Sequence, residues 1–175
     1  MQVCETIIPV IQGQFRVSNS RTEVLSTVLG SCVAACLFDP VAKVGGMNHF
    51  LLPGSDPGAG NNIKYGAHSM EQLINGMLKL GAARHRIEAQ LFGAGSIGGN
   101  FGHIGENNAR FANDFVRAEG FALKKSDLGG GTGRRLKFYP GLGEAICNPF
   151  DIHQIEQQVT PAPPPAKDIG DVELF

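Results

Sequence analysis

The 175-residue chain contains no tryptophan, only two tyrosines, and no long apolar run. Its longest apolar stretch, Val28 to Phe38, includes glycine and serine. That stretch is shorter than a membrane-spanning helix, which needs about 20 residues. The first basic residue is Arg16, so the start lacks the charged segment of a secretory signal. These absences predict a cytoplasmic protein without direct membrane insertion.

Neither sign of charge dominates, since 15 Lys and Arg stand against 16 Asp and Glu. The chain therefore lacks the basic surface of a nucleic-acid binder, and we predict no nucleic-acid partner. Hydrophobic residues make up 42% and charged residues 18%, which indicates a globular chain. We predict one domain over residues 1–150 and a flexible, proline-rich tail over residues 151–175.

Hydrophobic periodicity predicts an α+β fold rather than a strict alternation of strands and helices. Strands are expected within 3–18, with breaks near Pro9 and Gly13, and at 22–28, 44–52, 86–92, 121–125, 135–139 and 144–147. Residues 33–38 read either as a strand or as the start of a short helix. Helices are expected around 70–78, capped by Gly81, and over 106–119, and residues 53–62 are expected to form a surface loop.

The turn Gly30-Ser31-Cys32 and the lone His49 are the candidate catalytic residues. A tight turn can present a thiol and leave neighbouring backbone N–H groups free to stabilise an oxyanion. His49 would act as the base if it faces Cys32, with the hydroxyl of Ser26 or Thr27 orienting its ring. Alternatively both are ordinary core residues, as we expect of Cys36. If Cys32 begins a helix, the helix dipole would lower its thiol pKa.

Three other patterns are weaker. Cys32 and Cys36 have no second pair of ligands nearby, so a zinc pattern is absent, and we predict no metal and no cofactor. Residues 93–98 match the spacing of a dinucleotide-binding fingerprint, but the glycines at 99, 102 and 105 would break the helix that a true fingerprint opens. Residues 129–135 either cradle an anion or form a wide turn with two solvated arginines.

Several motifs, taken in order, resemble the CheD-type chemoreceptor glutamine deamidases. They are Leu29-Gly30-Ser31-Cys32-Val33-Ala34, Met47-Asn48-His49-Phe50-Leu51-Leu52-Pro53, Leu91-Phe92-Gly93-Ala94-Gly95, Ile104-Gly105-Glu106-Asn107-Asn108, and Asp127-Leu128-Gly129-Gly130 with Gly133-Arg134. The resemblance covers residues 7 to 148. It implies a single domain with a β-sandwich-like core of mixed sheets flanked by helices, similar to the deamidase domain of cytotoxic necrotizing toxins.

The function implied by this resemblance is hydrolytic deamidation of selected glutamines on methyl-accepting chemotaxis receptors, through a Cys–His thioester mechanism that needs no cofactor and tunes chemotaxis signalling. The catalytic cysteine and histidine of the family correspond to Cys32 and His49. The family's threonine falls at Ser26 by ungapped counting, whereas Thr27 is the threonine, so both stay open. The implied partners are the cytoplasmic domain of the receptor and a CheC-like phosphatase. The alternative function is a non-catalytic adaptor that binds either of them.

Overall fold

The computed structural model describes residues 4–53, 59–97 and 102–151, which form nine strands and two α-helices. The strands are β1 Thr6–Pro9, β2 Phe15–Ser18, β3 Glu23–Leu29, β4 Val33–Asp39, β5 Val44–Phe50, β6 Glu88–Gly93, β7 Ala122–Leu128, β8 Gly133–Tyr139 and β9 Glu144–Phe150. The helices are α1 Ala59–Lys79 and α2 Gly102–Glu119, and a single 3-10 turn covers Arg84–Arg86. The α+β prediction is confirmed.

Both sheets mix parallel and antiparallel pairs. The four-stranded sheet has the order β1-β3-β8-β9, and β1 runs parallel to β3. The five-stranded sheet has the order β2-β5-β4-β6-β7, and β6 runs parallel to β7. The prediction of mixed sheets with helices is therefore confirmed, whereas the likeness to the deamidase domain of necrotizing toxins stays a prediction.

Strand β4 lies at the centre of the molecule because both of its faces are buried. Its residues Ala34, Cys36 and Phe38 pack against the four-stranded sheet, in a core that also contains Leu25, Leu29, Met47, Phe92, Leu136 and Phe138. Its residues Val33, Ala35 and Leu37 pack against both helices, in a core that also contains Leu73, Met77, Ala112 and Val116. The layers are thus sheet, sheet and helices. The turn Gly30-Ser31-Cys32, the candidate nucleophile turn, lies directly before β4.

One open alternative is decided, and two predicted boundaries need correction. Residues 33–39 form a strand and not a helix, since an element covered on both faces favours a continuous apolar strand. Helix α1 begins at Ala59, so residues 59–62 of the expected loop are helical, whereas residues 54–58 lie outside the described residues. Helix α2 begins at Gly102, before the predicted residue 106, and both Gly102 and Gly105 lie within it.

The glycine at 105 is tolerated in α2 because the helix passes very close to another segment. A Cβ added at Gly105 would lie 2.7 Å from the carbonyl oxygen of Ala94. The prediction that this glycine breaks a helix was wrong, because close packing outweighs its poor helix propensity. The result is that α2 starts beside the loop that follows β6.

The remaining strands confirm the predicted positions, and β7 and β9 each extend past their predicted ends. The break near Pro9 and Gly13 separates β1 from β2. Apart from Asp151, the predicted tail lies outside the described residues. Neither helix, as far as it is described, has the length and apolarity needed to cross a membrane.

Candidate active site

The turn Gly30-Ser31-Cys32 joins β3 of one sheet to β4 of the other, so it lies where the two sheets meet. Each of its three carbonyl groups accepts a hydrogen bond from another segment. The donors are Gly95 N to Gly30 O at 2.8 Å, Asn108 Nδ2 to Ser31 O at 2.9 Å, and Ala94 N to Cys32 O at 2.7 Å. The turn is therefore held in one conformation from outside.

The glycine-rich loop after β6 is part of this support. Gly93 has φ +113°, and a Cβ there would collide with the carbonyl oxygen of Cys32. Glycine is required at this position for both reasons. Gly95 donates to the nucleophile turn, whereas Gly98 lies outside the described residues. These two glycines allow the backbone to approach Cys32, so the described part of the motif serves close packing at this turn.

His49 shares one face of the five-stranded sheet with Cys32. In the register of β4 and β5, Ala34 lies opposite His49. Cys32 lies directly before β4 and two residues before Ala34, so the alternation of the strand, continued to Cys32, gives its side chain the same side as His49. Cys32 and Ala34 both belong to the core between the sheets. The fold thus brings the predicted thiol and imidazole into the same region.

Of the two hydroxyls that the sequence left open, the structure places that of Thr27 against His49. The distance from Thr27 Oγ1 to His49 Nδ1 is 2.9 Å, and the exposures of the two residues are 8% and 6%. Side chains alternate along β3, so Leu25, Thr27 and Leu29 face the core and Ser26 faces the opposite side. Ser26 is therefore turned away from the imidazole.

The tautomer of His49 follows from a second contact. The carbonyl oxygen of Val10 lies 3.2 Å from His49 Nδ1. A carbonyl only accepts hydrogen bonds, so this contact favours the tautomer with the proton on Nδ1, in which Thr27 Oγ1 also accepts and the lone pair of the neutral ring is on Nε2. Nε2 is buried and has no hydrogen-bond partner in the described part of the chain. This nitrogen is therefore available to take a proton.

Burial favours the neutral forms of both groups. It lowers the pKa of His49 below the ordinary value, and the hydrogen bond to the Val10 carbonyl opposes that shift only in part. Burial also raises the pKa of the Cys32 thiol, against the opposing effect of its own backbone N–H. The condition for a thiol pKa lowered by a helix dipole is not met, because a strand, and not a helix, follows Cys32.

Gln12 is a neighbour of Cys32 that sequence reasoning missed. The thiol donates a hydrogen bond to Gln12 Oε1 at 3.5 Å. Gln12 lies between β1 and β2, and no motif draws attention to it. Only the fold, which lays this segment along β5, could reveal the contact.

Asn108 was also missed as a site residue, although it belongs to one of the motifs that carry the resemblance. It is fully buried in α2. Its Nδ2 donates to Ser31 O, and its Oδ1 accepts from the backbone N–H of Leu52 at 2.9 Å. One side chain thus connects the nucleophile turn with the segment that follows β5, the strand of His49.

One interpretation of residues 129–135 expected two solvated arginines, but only one of the two arginines is exposed. Arg134 is only 5% exposed and donates to the carbonyl of Gly129 at 2.6 Å and to Asp127 at 3.0 Å. Arg135 is exposed and lies over the ring of Phe150. Arg134 is a residue of β8, and its donors are used by Asp127 of β7 and by the loop that joins β7 to β8. Among the described residues, no three His, Cys, Asp or Glu side chains lie close enough together to hold a metal ion.

The fold and the site together define an α+β protein with a thiol, an imidazole and a hydroxyl at the junction of two sheets. The model of a family described as CheD chemotactic sensory transduction matches residues 51–149. A relative from Rhizobium leguminosarum bv. trifolii is 46% identical, covering 96% of this chain and 95% of its own. One from Agrobacterium fabrum is 43% identical, covering 100% and 99%. One from Rhizobium meliloti is 52% identical, covering 79% and 77%.

Each of these three relatives bears the name "Probable chemoreceptor glutamine deamidase CheD". The chain therefore belongs to the CheD family. A solved structure of a DUF152-family protein from Neisseria meningitidis is similar with a TM-score of 0.44 and 11% identity, covering 73% of this chain and 64% of its own. A similarity at that level carries no inference about function.

Proposed function

We propose that this chain hydrolyses the side-chain amide of selected glutamines on methyl-accepting chemotaxis receptors, giving glutamate and ammonia. The names of its relatives support the reaction and the substrate. The observation that carries the proposal is the hydrogen bond between Thr27 and His49 Nδ1, which leaves an unpartnered Nε2 on the sheet face that Cys32 shares. A thiol, a base and a group that orients the base are the parts of a nucleophilic amidohydrolase.

In the first step, His49 Nε2 takes the thiol proton as Cys32 Sγ attacks the amide carbon of the substrate. Since both groups are neutral at rest, the proton moves during the attack and does not form a stable ion pair beforehand. Attack converts the carbonyl oxygen into an oxyanion, which needs a nearby donor.

The backbone N–H of Cys32 is the donor that the geometry favours. The C=O of Ser31 and the N–H of Cys32 belong to one trans peptide unit and point in opposite directions. Asn108 holds that C=O on the helix side, so the N–H points away from α2. The same N–H stabilises the thiolate form of Cys32 and so lowers the pKa of its thiol, against the larger effect of burial.

In the second step, the protonated His49 gives its proton to the leaving nitrogen, and ammonia departs as the thioester forms. A water molecule, deprotonated by Nε2, then attacks the thioester carbon and the carbon–sulfur bond breaks. The balance is glutamine plus water to glutamate plus ammonia, and it needs no cofactor. Each event gives the receptor a new negative charge, by which the enzyme would tune chemotaxis signalling.

The reaction takes place, in this proposal, on the cytoplasmic domain of the receptor, which makes the chain a cytoplasmic enzyme. A CheC-like phosphatase as a second partner stays a prediction from the resemblance. Binding to the receptor without turnover is the competing function, and it differs from the proposal in one observable product, the new carboxylate.

The deciding experiment is mass spectrometry of a receptor cytoplasmic domain before and after incubation with the protein. The wild type should convert particular glutamines to glutamates and release ammonia. Cys32→Ala should abolish the conversion, whereas Cys4→Ala, at an exposed cysteine far along the chain from the turn, should not. Receptor binding without conversion by the wild type would refute the enzyme and favour the adaptor.

A further inference from the structure

The segment between β1 and β2 covers the candidate site. The N–H of Gln14 donates to the carbonyl of Ile11 at 3.0 Å, and Gly13 has φ +87°, as in a type II turn. The turn is attached to the strand of the base, since Gly13 N donates to His49 O at 2.8 Å. Gln12 is the residue that this turn presents next to Cys32.

The side chain of Gln12 ends in the chemical group on which the proposed enzyme acts. Its carboxamide oxygen lies 3.5 Å from Cys32 Sγ and accepts the hydrogen bond of the thiol. His49 Nε2, which catalysis requires as the acceptor of that proton, is buried and without a partner among the described residues. The thiol therefore donates its hydrogen bond to an internal glutamine, and the histidine nitrogen that would take its proton has no partner among the described residues.

We propose that Gln12 is an internal substrate mimic, whose carboxamide occupies the place of the substrate carboxamide until a receptor glutamine displaces it. The idea rests on the proposed function, because a glutamine side chain matches the site only if the enzyme acts on glutamine. Gln12 is exposed, so its side chain can turn outward by rotation about its own bonds. The backbone of the turn stays in place on β5.

Such an occupant weakens the apparent affinity for substrate, because only the fraction of molecules whose site is open can bind. A thiol is a weak donor, so the contact is modest. Removing it should raise the accessibility of Cys32 by about threefold, near the low end of the effect of one hydrogen bond. The KM should fall by the same factor, and kcat should not change, because the bound enzyme has already released Gln12.

The test compares Gln12→Ala with wild type and with Ile11→Ala, a control at an exposed residue of the same turn. The rate at which iodoacetamide alkylates Cys32 is followed on the peptide that contains it, and KM and kcat are measured on the receptor domain. Gln12→Ala should be alkylated about threefold faster, and its KM should fall by that factor. Ile11→Ala should match the wild type in both. Gln12→Asn, whose amide is one methylene shorter, should behave like Gln12→Ala.

Equal alkylation rates and an equal KM in Gln12→Ala and wild type would overturn the proposal, as would a higher KM. Conversion of Gln12 itself to glutamate in the wild type, but not in Cys32→Ala, would support it directly. Faster alkylation without any receptor deamidation by the wild type would refute the proposed function and leave the contact established. Receptor deamidation by the wild type, with no effect of Gln12→Ala on alkylation or KM, would support the proposed function and overturn the proposal for Gln12.

Discussion

The contact between Asn108 and the nucleophile turn allows a sharp test of how the fold supports catalysis. The substitution Asn108→Asp keeps the oxygen that accepts from Leu52 and replaces the NH2 that donates to Ser31. Two oxygens then face each other at the position where a hydrogen bond of 2.9 Å was. The variant therefore isolates the contact with the turn from the contact with Leu52.

The expected loss of stability follows from burial. Asn108 is fully buried, and a buried carbonyl left without its donor costs roughly 1–3 kcal/mol. The new carboxyl is buried too, which raises its pKa. Once protonated, it can donate to Ser31 again. The free energy of unfolding of Asn108→Asp should therefore fall below wild type by at least roughly 1–3 kcal/mol at neutral pH, and the difference should shrink as pH falls.

The substitution should also lower kcat. Asn108 fixes the peptide plane between Ser31 and Cys32, and so it directs the N–H that would stabilise the oxyanion. A misplaced catalytic group costs about 100-fold. The assay is ammonia release from the receptor domain at saturating concentration, together with unfolding in urea.

Asn113→Asp is the matched control, since Asn113 lies on the same helix and donates to the carbonyl of Ala109 within it. It should retain the wild-type kcat. If Asn108→Asp unfolds more easily but keeps the wild-type kcat, Asn108 only stabilises the fold. That outcome would refute the idea that it positions the oxyanion donor.

Three further predictions follow from the same geometry. Thr27→Val should lower kcat about tenfold, the effect of one buried hydrogen bond, and Ser26→Ala should not, as ammonia release would show. Because burial lowers the pKa of His49, the acid limb of kcat/KM should lie below about pH 6.5. The folded protein favours neutral His49, so this residue contributes its full stabilisation above about pH 6.5, and the contribution should be lost as the pH falls to the pKa of the folded state. Asp39→Asn should lower the free energy of unfolding measured in urea, because the buried Asp39 carboxylate pairs with Arg86 at 2.8 Å and accepts a hydrogen bond from the backbone N–H of Ala83 at 2.8 Å.

Much of the fold could be predicted because its elements carry strong local signals. The helix around 70–78 shows a clear apolar period, and the strands from Glu23–Leu29 onward alternate or form continuous apolar runs. The start of α2 could not be predicted, because Gly105 is there for close approach to Ala94, a tertiary reason that outweighs local propensity. The local sequence pattern likewise could not predict which strands pair with each other in the two sheets.

At the site, Cys32 and His49 could be proposed from motifs, and their common face is a consequence of register. The choice between Ser26 and Thr27 depends on which face of β3 meets the other sheet, and a shift of one residue reverses it. Gln12 and Asn108 act through contacts with residues distant in the chain, at separations of 20 and 77 positions. Such contacts leave no local pattern that a single sequence could display.

In the proposed mechanism, the neutral forms that burial favours connect the catalytic contacts with the contact to Gln12. A thiolate at rest would react with oxidants whether or not a receptor is present. Burial raises the pKa of Cys32, and the Gln12 carbonyl gives the thiol proton an acceptor that does not remove it. A substrate glutamine that displaces Gln12 frees the thiol to turn toward His49 Nε2. The nucleophile is then generated where and when the amide carbon is present, so the same displacement would select for glutamine and protect the cysteine.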